Sequence, residues 1–527
     1  MTKEPYYPIG EQDFKSLREM GSIYVDKTRF IEKLIFSGSK YYFLARPRRF
    51  GKSLFLSTIR YFFQAERSLF KGLAIDSTKW DWQKHPVLRL DLNMERYAEP
   101  GRLDMVLDNQ FNIWEKEYDV IPKAEDLPSR FKNIIAAAHA KFGRQVVILV
   151  DEYDKPLVGN LDKDKEELFE HYRAKLASIY SNFKSSAEHI RIVFLTGVSR
   201  FSKLSVFSDL NNLNDITFDD EYADICGITE KELIEYFSVG IHTLAERRNT
   251  SFDEARHLLK KNYDGYRFAK NGSEIYNPWS ILCALSKKDI ANYWVQTGMA
   301  TLLGEALKCV NVDLEDFLNT ECLPEELVGL DLKDPNPLAL LYQTGYLTIK
   351  DFDFDSNLFT LGVPNNEVKE GLFKMLIPYY TSIRQGFENA VVTKLTASIL
   401  KGKPNELIQT LETYFAGIPY QLHMDNENNF QNAFYILVTL IGIKAHAEVA
   451  TSDGRIDLLI TTPKFIYIIE LKYDRTAREA MAQIDEKKYT RPYRDDPRTL
   501  FKIGVNFSSE TRCIEKPEIE EVPPHLR

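Results

Sequence analysis

The residues Gly51-Lys52-Ser53 are a combination that could bind phosphate. They follow a basic turn that starts at Arg46, and apolar residues at helical spacing come next. At the start of a helix, backbone N–H groups point at phosphate oxygens, a lysine reaches the terminal phosphates and a hydroxyl binds magnesium. We therefore predict that Lys52 contacts nucleotide phosphates and that Ser53 binds Mg²⁺. The strict pattern has a glycine at the position of Arg46, so the tripeptide alone is weak evidence.

A pair of acidic residues, Asp151 and Glu152, directly follows the apolar run Val146–Val150. An uninterrupted apolar run is typical of a strand that is covered on both faces of a parallel sheet. Carboxylates at the carboxyl end of such a strand lie where these sheets bind ligands. We predict that Asp151 holds Mg²⁺ through water and that Glu152 polarises the attacking water in ATP hydrolysis. The alternative is a buried strand that ends in a solvated acidic turn.

Two more polar residues, Thr196 and Arg200, lie at or just beyond the end of the predicted strand Ile190–Thr196. A polar side chain at Thr196 would occupy the sensor position beside the γ-phosphate, and Arg200 could stabilise charge that develops there. The alternative for Arg200 is an exposed arginine on a loop.

A second group of residues that could do chemistry is Asp457, Glu470 and Lys472. Two apolar strands, Ile456–Ile460 and Phe465–Leu471, flank a short loop. If the loop is a hairpin, Asp457 lies opposite Glu470, and strand alternation puts Lys472 on the same face. Carboxylates that bind Mg²⁺ and a lysine that assists the nucleophile are what metal-assisted phosphodiester cleavage requires. The alternative is a surface hairpin with ordinary ion pairs, each worth under ~1 kcal/mol.

The elements that must position the first group alternate between strand and helix. The predicted helices are Asp13–Met20, Phe30–Ile35, Ser53–Gln64, Asp104–Tyr118, Pro128–Phe142 and Lys163–Ser181. The predicted strands are Tyr42–Leu44, Pro86–Leu92, Val146–Val150 and Ile190–Thr196. This alternation predicts a parallel sheet with helices on both faces.

Later elements are mostly helical. The predicted helices are Glu230–Ser238, Phe252–Asn262, Pro278–Leu285, Glu367–Gln385, Ala390–Phe415 with a break at Gly402, and Ala477–Lys488. A hairpin of Tyr346–Lys350 and Leu358–Leu361 after helical segments suggests a winged-helix module. Because its turn is acidic, a packing role is favoured over contact with DNA.

Length and composition limit the class of protein. The chain has 527 residues, a formal net charge of −9 and 44% hydrophobic residues, which predicts a globular protein of several domains. Its five cysteines are scattered and form no CxxC pair, so neither a disulfide framework nor a zinc site is supported. The N-terminus lacks a signal-like apolar region and no stretch is long enough to span a membrane, so we expect a cytoplasmic protein. The negative charge limits any nucleic-acid contact to a local patch.

The sequences ARPRRFGKS and VVILVDEYDKP together resemble those of the bacterial AAA-ATPase-like family. YVDKT, LTGVSRFSKLSVFSDLNNL, YDGYRF and YNPWS extend the resemblance along nearly the whole chain. The family's loop also lacks the first glycine, so Arg46 is expected. The resemblance implies ATP contacts from the loop residues Arg46, Pro47, Arg48, Arg49, Phe50, Gly51, Lys52, Ser53 and Leu54, and from Asp151, Thr196 and Arg200. YDGYRF is either a packed turn or a nucleotide contact.

Members of this family often carry a C-terminal PD-(D/E)XK nuclease domain, and GRID with ELK at Glu470–Lys472 matches that pattern. By this resemblance Glu427, Asp457 and Glu470 would bind Mg²⁺, with Mn²⁺ as an alternative, and Gln483 would lie beside the metal. The implied fold is α/β: an AAA-like P-loop NTPase core at 1–225, a helical lid at 226–290, a winged-helix-like middle region at 291–416 and a restriction-endonuclease-like domain at 417–527.

The leading functional interpretation is a protein that binds and hydrolyses ATP and is coupled to a magnesium-dependent nuclease acting on DNA or RNA. One alternative is a nucleotide-dependent regulatory protein that binds nucleic acid or a partner without cleaving. Another is that ATP is only a structural ligand. The sequence does not decide between a monomer and an oligomer.

Overall fold

The computed structural model describes residues 6–93, 97–121, 126–160, 163–200, 212–294, 318–327, 336–380, 388–416, 436–437, 439–440, 448–450, 458–508, 510 and 513–523. The chain divides into two compact units. The first contains residues 1–297 and 319–367, and the second contains residues 298–318 and 368–527. The finer division into four domains stays a prediction.

A parallel sheet of five strands forms the centre of the first unit. The strands are β1 (Tyr41–Ala45), β2 (Val87–Asp91), β3 (Val146–Asp151), β4 (Ile190–Gly197) and β5 (Asn214–Asp215). Their order across the sheet is β2-β3-β4-β1-β5, and all neighbours run parallel. The predicted parallel sheet is therefore confirmed. Because parallel strands end at one edge, this order brings the ends of β1, β3 and β4 together.

Helices surround this sheet and continue after it. They are α1 (Phe14–Glu19), α2 (Thr28–Phe36), α3 (Lys52–Phe63), α4 (Arg102–Glu117), α5 (Leu127–Phe142), α6 (Lys155–Val158), α7 (Glu166–Tyr180), α8 (Asn182–Ser185), α9 (Glu230–Arg248), α10 (Phe252–Tyr263), α11 (Pro278–Lys287) and α12 (Pro337–Thr344). The first unit also contains the strands β6 (Ile228–Thr229), β7 (Ile275–Tyr276), β8 (Glu321–Cys322), β9 (Thr348–Asp353) and β10 (Leu358–Gly362). β9 and β10 form the predicted hairpin, and β8 extends it to three strands. The hairpin turn is acidic and exposed at Asp353 and Asp355.

Helix α9 is longer than predicted, because it continues past Ser238 to Arg248. It starts with a capping box in which Thr229 and Glu232 bond each other's backbone N–H groups. The helix passes through Gly240, where a Cβ would lie only 2.1 Å from the Tyr7 hydroxyl. This glycine therefore permits close packing against the N-terminal segment and does not end the helix.

The second unit contains a mixed sheet flanked by helices. The helices are α13 (Asn366–Tyr380), whose first residues belong to the first unit, α14 (Glu388–Leu400), α15 (Pro404–Ala416) and α16 (Ala477–Glu486). The strands are β11 (Glu448–Ala450), β12 (Leu458–Thr461), β13 (Phe465–Tyr473), β14 (Thr499–Ser508), β15 (Cys513–Ile514) and β16 (Glu518–Val522). Their order is β11-β12-β13-β14-β15, with β16 paired to β14. Leu458 pairs with Ile469 and Leu459 with Ile468, which confirms the predicted hairpin register.

Candidate functional site

The loop between β1 and α3 has the geometry of a phosphate-binding turn. β1 is buried along its length and ends at Ala45, and α3 begins at Lys52. Arg49 and Gly51 have φ values of 70° and 97°, so the chain reverses through left-handed backbone before the helix starts. Glycine adopts this conformation without a steric penalty, which explains Gly51 at the N-cap. The free N–H groups of the first turn of α3 therefore face the loop.

Arg46, which replaces the glycine of the strict pattern, has a buried side chain. Its guanidinium donates hydrogen bonds to the carbonyl oxygens of Ala45 at 2.9 Å, Thr217 at 2.8 Å and Tyr222 at 3.2 Å. It also lies 4.4 Å from the centre of the Phe268 ring. The side chain thus joins the loop to the segment after β5. A nucleotide contact by Arg46 stays a prediction, and the observed contacts are structural.

We expect Arg46→Gly to restore the strict loop pattern and yet destabilise the protein by about 2–4 kcal/mol. The change removes the donors of buried carbonyl groups and leaves a cavity. Urea unfolding would measure the loss, with Arg144→Gly on an exposed turn as the control, expected to cost under about 1 kcal/mol. Equal stability of the Arg46→Gly variant and the wild type would show that the guanidinium does not support the loop.

Lys52 lies over the loop and faces β3. Its ammonium group donates to the carbonyl oxygens of Arg46 at 2.9 Å and Pro47 at 3.2 Å. The same group lies 3.4 Å from the Glu152 carboxylate. The lysine predicted to contact phosphate and the glutamate predicted to polarise water are therefore adjacent.

Asp151 ends β3 as a buried carboxylate. The Thr196 hydroxyl at the end of β4 donates to its Oδ1 at 2.9 Å. Burial raises the pKa of Asp151, while hydrogen bonds from Ser53 and Thr196 oppose the rise. Ser53, Asp151 and Thr196 thus come from three different elements and share one hydrogen-bonded cluster. Such a set of hydroxyl and carboxylate oxygens fits Mg²⁺, which prefers oxygen ligands.

A cavity of about 400 Å³ lies beside the loop between β1 and α3, and Ser53 is the member of this cluster that lines it. This volume lies within the range of small-molecule sites. Seven of the residues predicted to contact ATP line it: Arg48, Arg49, Phe50, Gly51, Lys52, Ser53 and Leu54. Glu152, which is predicted to polarise the attacking water, lines it too, whereas the predicted ATP contacts Arg46, Pro47, Asp151, Thr196 and Arg200 do not. The remaining walls come from the N-terminal segment, the segment before α9 and the start of α11. Tyr24 and Lys27 of the N-terminal segment, for example, line this cavity.

Arg200 lies apart from this cavity. Its guanidinium forms an ion pair with Asp215, and its backbone N–H donates to Gln343 at 3.0 Å. It lines a second, small cavity together with Arg46 and Phe218. Its predicted role in stabilising developing charge stays untested, and in this structure the side chain has another partner.

YDGYRF forms a packed turn. The rings of Tyr266 and Phe268 contact the ring of Phe50, with centroids 4.8 Å and 5.2 Å away. Phe50 belongs to the loop between β1 and α3, and neither Tyr266 nor Phe268 is among the described residues that line the 400 Å³ cavity. The motif therefore packs against Phe50 of the loop without lining the cavity.

Sequence reasoning did not single out Asp154 and Lys155. The Asp154 carboxylate accepts the backbone N–H groups of Val198 at 3.1 Å and Ser199 at 2.6 Å. Burial raises the pKa of Asp154 to about 6, and the Glu152 charge adds to the rise. Asp154 thus holds the chain after β4 beside the end of β3. The sequence signal that could have pointed to these two residues is their position directly after Asp151 and Glu152, in the run VDEYDK.

The second candidate site lies on β13 and α16. Glu470 is buried and accepts a hydrogen bond of 2.8 Å from the Lys472 ammonium group. Lys472 also donates to the Gln483 side chain at 2.7 Å. Lys472 therefore contacts both of the other predicted residues. A buried carboxylate beside a lysine fits one half of a hard-metal site.

Asp457 and Glu427 lie outside the described residues. The described pairs of the β12–β13 hairpin end at Leu458 and Ile469, so the predicted pairing of Asp457 with Glu470 stays a prediction. Within the described part of the chain, no group of three or more His, Cys, Asp and Glu side chains could hold a metal ion. The complete metal-ligand set of both sites stays a prediction.

The fold and the first site define a protein with a P-loop NTPase-like core, followed by a C-terminal domain with a mixed sheet. Residues 8–207 match the family described as "Predicted AAA-ATPase", and residues 425–517 match the PD-(D/E)XK nuclease superfamily. A protein of Azotobacter chroococcum mcd 1, "Uncharacterized protein in vnfD 5'region", is 35% identical over 525 residues, covering 96% of this chain and 97% of the relative.

The chain therefore belongs to the AAA-ATPase-like family, with a C-terminal PD-(D/E)XK nuclease superfamily domain. These domain families suggest nucleotide binding and a nuclease-like fold. Among the helices that the structure describes, none is both long and apolar enough to span a membrane.

Proposed function

We propose that this protein binds and hydrolyses ATP and that its nucleotide state controls a magnesium-dependent nuclease acting on DNA or RNA. The observation that carries the proposal is the convergence of Lys52, Ser53, Asp151, Glu152 and Thr196 at one edge of the parallel sheet. The five side chains have the residue types that phosphoryl transfer from a nucleotide to water requires.

Each residue of the nucleotide site has a separate role in this proposal. The N–H groups at the start of α3 and the ammonium of Lys52 bind the phosphates. Ser53 and Asp151 hold Mg²⁺, which when bound neutralises phosphate charge. Glu152 orients the attacking water and accepts its proton. Thr196 holds the Asp151 carboxylate in position by the 2.9 Å hydrogen bond.

We expect Glu152→Gln to slow ATP hydrolysis by about a hundredfold or more and to change ATP affinity by less than about threefold. Loss of a general base typically costs 10²–10⁴ in rate, because the amide cannot accept the proton of water. Single-turnover phosphate release and equilibrium binding of ATP would measure the two effects separately. Glu66→Gln at an exposed position is the control and is expected to behave as the wild type. Unchanged hydrolysis by Glu152→Gln would assign the base to another residue.

Contacts within the first unit support control by nucleotide state. The Lys27 ammonium group binds both carboxylate oxygens of Glu232 on α9 at 2.7 Å, and Lys27 also lines the cavity. On the other side of the loop, the Trp294 indole N–H donates to the carbonyl oxygen of Arg48 at 3.1 Å. A loop movement caused by ATP would therefore reach both the lid helix α9 and the segment after α11.

In the second site we assign metal binding to Glu470 and Asp457. We assign to Lys472 the role of assisting the attacking nucleophile. When bound, Mg²⁺ would lower the pKa of a water molecule. The Lys472 ammonium is placed by its bonds to Glu470 and Gln483 and would stabilise the negative charge of the phosphorane. The role that we assign to Gln483 is this positioning of Lys472.

A further inference from the structure

A run of basic residues directly follows α16 in the second unit. It reads KKYTRPYR at 487–494 and has four cations and no carboxylate, with Glu486 and Asp495 on either side. We call residues 487–494 the basic run. All four of its cationic side chains are exposed. Because the whole chain carries a formal net charge of −9, this run is the kind of local patch that a contact with nucleic acid requires.

The two tyrosines of the basic run fix its cations on the surface. Tyr489 is buried in a core cluster with Ile466 and Leu500, and Tyr493 packs against the same cluster. Between the tyrosines the chain makes a short 3₁₀ turn over Arg491–Tyr493. Since the tyrosines point into the core, the cations are carried by an anchored backbone, and less conformational entropy is lost when they bind a partner.

The cations of the basic run are not neutralised by neighbouring carboxylates. Within the part of the chain that the structure describes, none of the four side chains has an ion pair or a hydrogen bond. Two nearby carboxylates already have other partners, because Asp485 pairs with Lys502 at 2.8 Å and Asp496 with Arg498 at 2.7 Å. The four cations and the two flanking carboxylates leave a net charge of +2 over residues 486–495.

The dipole of α16 explains only half of these cations. Lys487 and Lys488 lie at the carboxyl end of the helix, where positive charge is favoured, but the effect is lost beyond the last turn. Arg491 and Arg494 lie beyond it, and the Arg494 backbone N–H donates to the Arg491 carbonyl oxygen at 3.4 Å. Side chains three residues apart in a 3₁₀ turn lie on the same side, so the two like charges repel each other. An anion that contacts both guanidinium groups would replace this repulsion with attraction.

Helix α16 joins the basic run to the candidate nuclease site. The Gln483 side chain accepts a hydrogen bond from Lys472 at 2.7 Å, and the Gln483 carbonyl oxygen accepts the Lys487 backbone N–H at 2.9 Å. Gln483 and Lys487 are four residues apart and therefore lie on one face of the helix, about 5.4 Å apart along its axis. Successive phosphates of a DNA strand are about 3.4 Å apart along the duplex axis. A strand bound at Lys472 would therefore meet the basic run within a few nucleotides.

We propose that the basic run binds the sugar-phosphate backbone of a nucleic acid and holds it on the candidate nuclease site. This inference rests on the proposed nuclease function and names the surface by which the second unit binds its substrate. Contacts to phosphate position a nucleic acid without reading its bases, so the binding is independent of sequence and weakens as the salt concentration rises.

The test measures binding to a fluorescent DNA duplex and to the RNA duplex of the same sequence, in EDTA so that no divalent metal supports cleavage. The duplex that the wild type binds more tightly is used for the variants. We expect the double variant Arg491→Ala, Arg494→Ala to bind about tenfold or more weakly, and the slope of log affinity against log salt to fall by about two. Arg491→Lys, Arg494→Lys keeps both charges and is expected to retain most of the affinity and the slope. The double variant Lys394→Ala, Lys401→Ala removes the same charge from exposed positions of the same unit and is the control.

Affinity and salt slope of the double alanine variant equal to those of the control would overturn this inference. The proposed nuclease function would then still stand if the wild type cleaves and Lys472→Ala does not. A wild-type chain that neither binds nor cleaves either duplex would overturn both. If polyglutamate displaces the bound duplex as well as unlabelled duplex does, the basic run binds acidic protein rather than nucleic acid, which would also overturn the inference.

Discussion

Replacing Lys52 with alanine is expected to weaken Mg·ATP binding by about a hundredfold and to reduce hydrolysis by about a thousandfold. The ammonium group is the cation that the loop carbonyls of Arg46 and Pro47 hold beside Glu152. A charge-assisted hydrogen bond to phosphate contributes about 1.5–3 kcal/mol, and its loss in the transition state adds to its loss in binding. Calorimetric titration and steady-state phosphate release would measure the two effects.

The Lys52→Ala variant must also be shown to fold. Lys52→Ala removes the donor to the carbonyl oxygens of Arg46 and Pro47, so we expect the unfolding midpoint to fall by a few degrees while the variant stays folded under the assay conditions. Lys116→Ala, which removes an exposed lysine elsewhere in the same unit, is the matched control. If Lys52→Ala hydrolyses ATP at the wild-type rate, Gly51-Lys52-Ser53 is not the nucleotide site.

The second large effect is expected in the C-terminal unit, where Lys472→Ala and Glu470→Gln should each reduce nucleic-acid cleavage by about a thousandfold. Lys472 bridges Glu470 and Gln483, and Glu470 is a buried carboxylate on β13. Glu470→Gln should in addition raise the Mg²⁺ concentration needed for half-maximal activity, because the amide is a weaker ligand for a hard cation. Cleavage of DNA and RNA with Mg²⁺ or Mn²⁺, with and without ATP, would measure this.

Lys464→Ala, on the exposed loop of the same hairpin, is the control for the nuclease variants. Wild-type cleavage by both site variants would refute the nuclease assignment. If the wild type binds nucleic acid and never cuts it under any of these conditions, the regulatory alternative is correct.

Local sequence was a good guide where the contacts lie within one strand, turn or helix. The strand Tyr41–Ala45, the turn at Gly51 and the helix from Lys52 are contiguous, so their residue types predict their geometry directly. The hairpin of β12 and β13 was predicted with the correct register because its short loop leaves few possible pairings. The predicted end of α9 at Ser238 was wrong, because the helix continues to Arg248 and packs against Tyr7 at Gly240.

The sequence by itself determined where residue types suited to phosphate and metal chemistry stand, and so predicted their roles: Lys52 and Ser53 after a buried strand, Asp151 and Glu152 after another, and Glu470 two residues before Lys472. Only the tertiary structure decided their partners. It buried Arg46 against carbonyls of a later segment, paired Arg200 with Asp215, and placed Lys155 on the cavity wall. The physical reason is that spacing along the chain limits contacts within an element, whereas partners from different elements depend on how strands are ordered and helices packed.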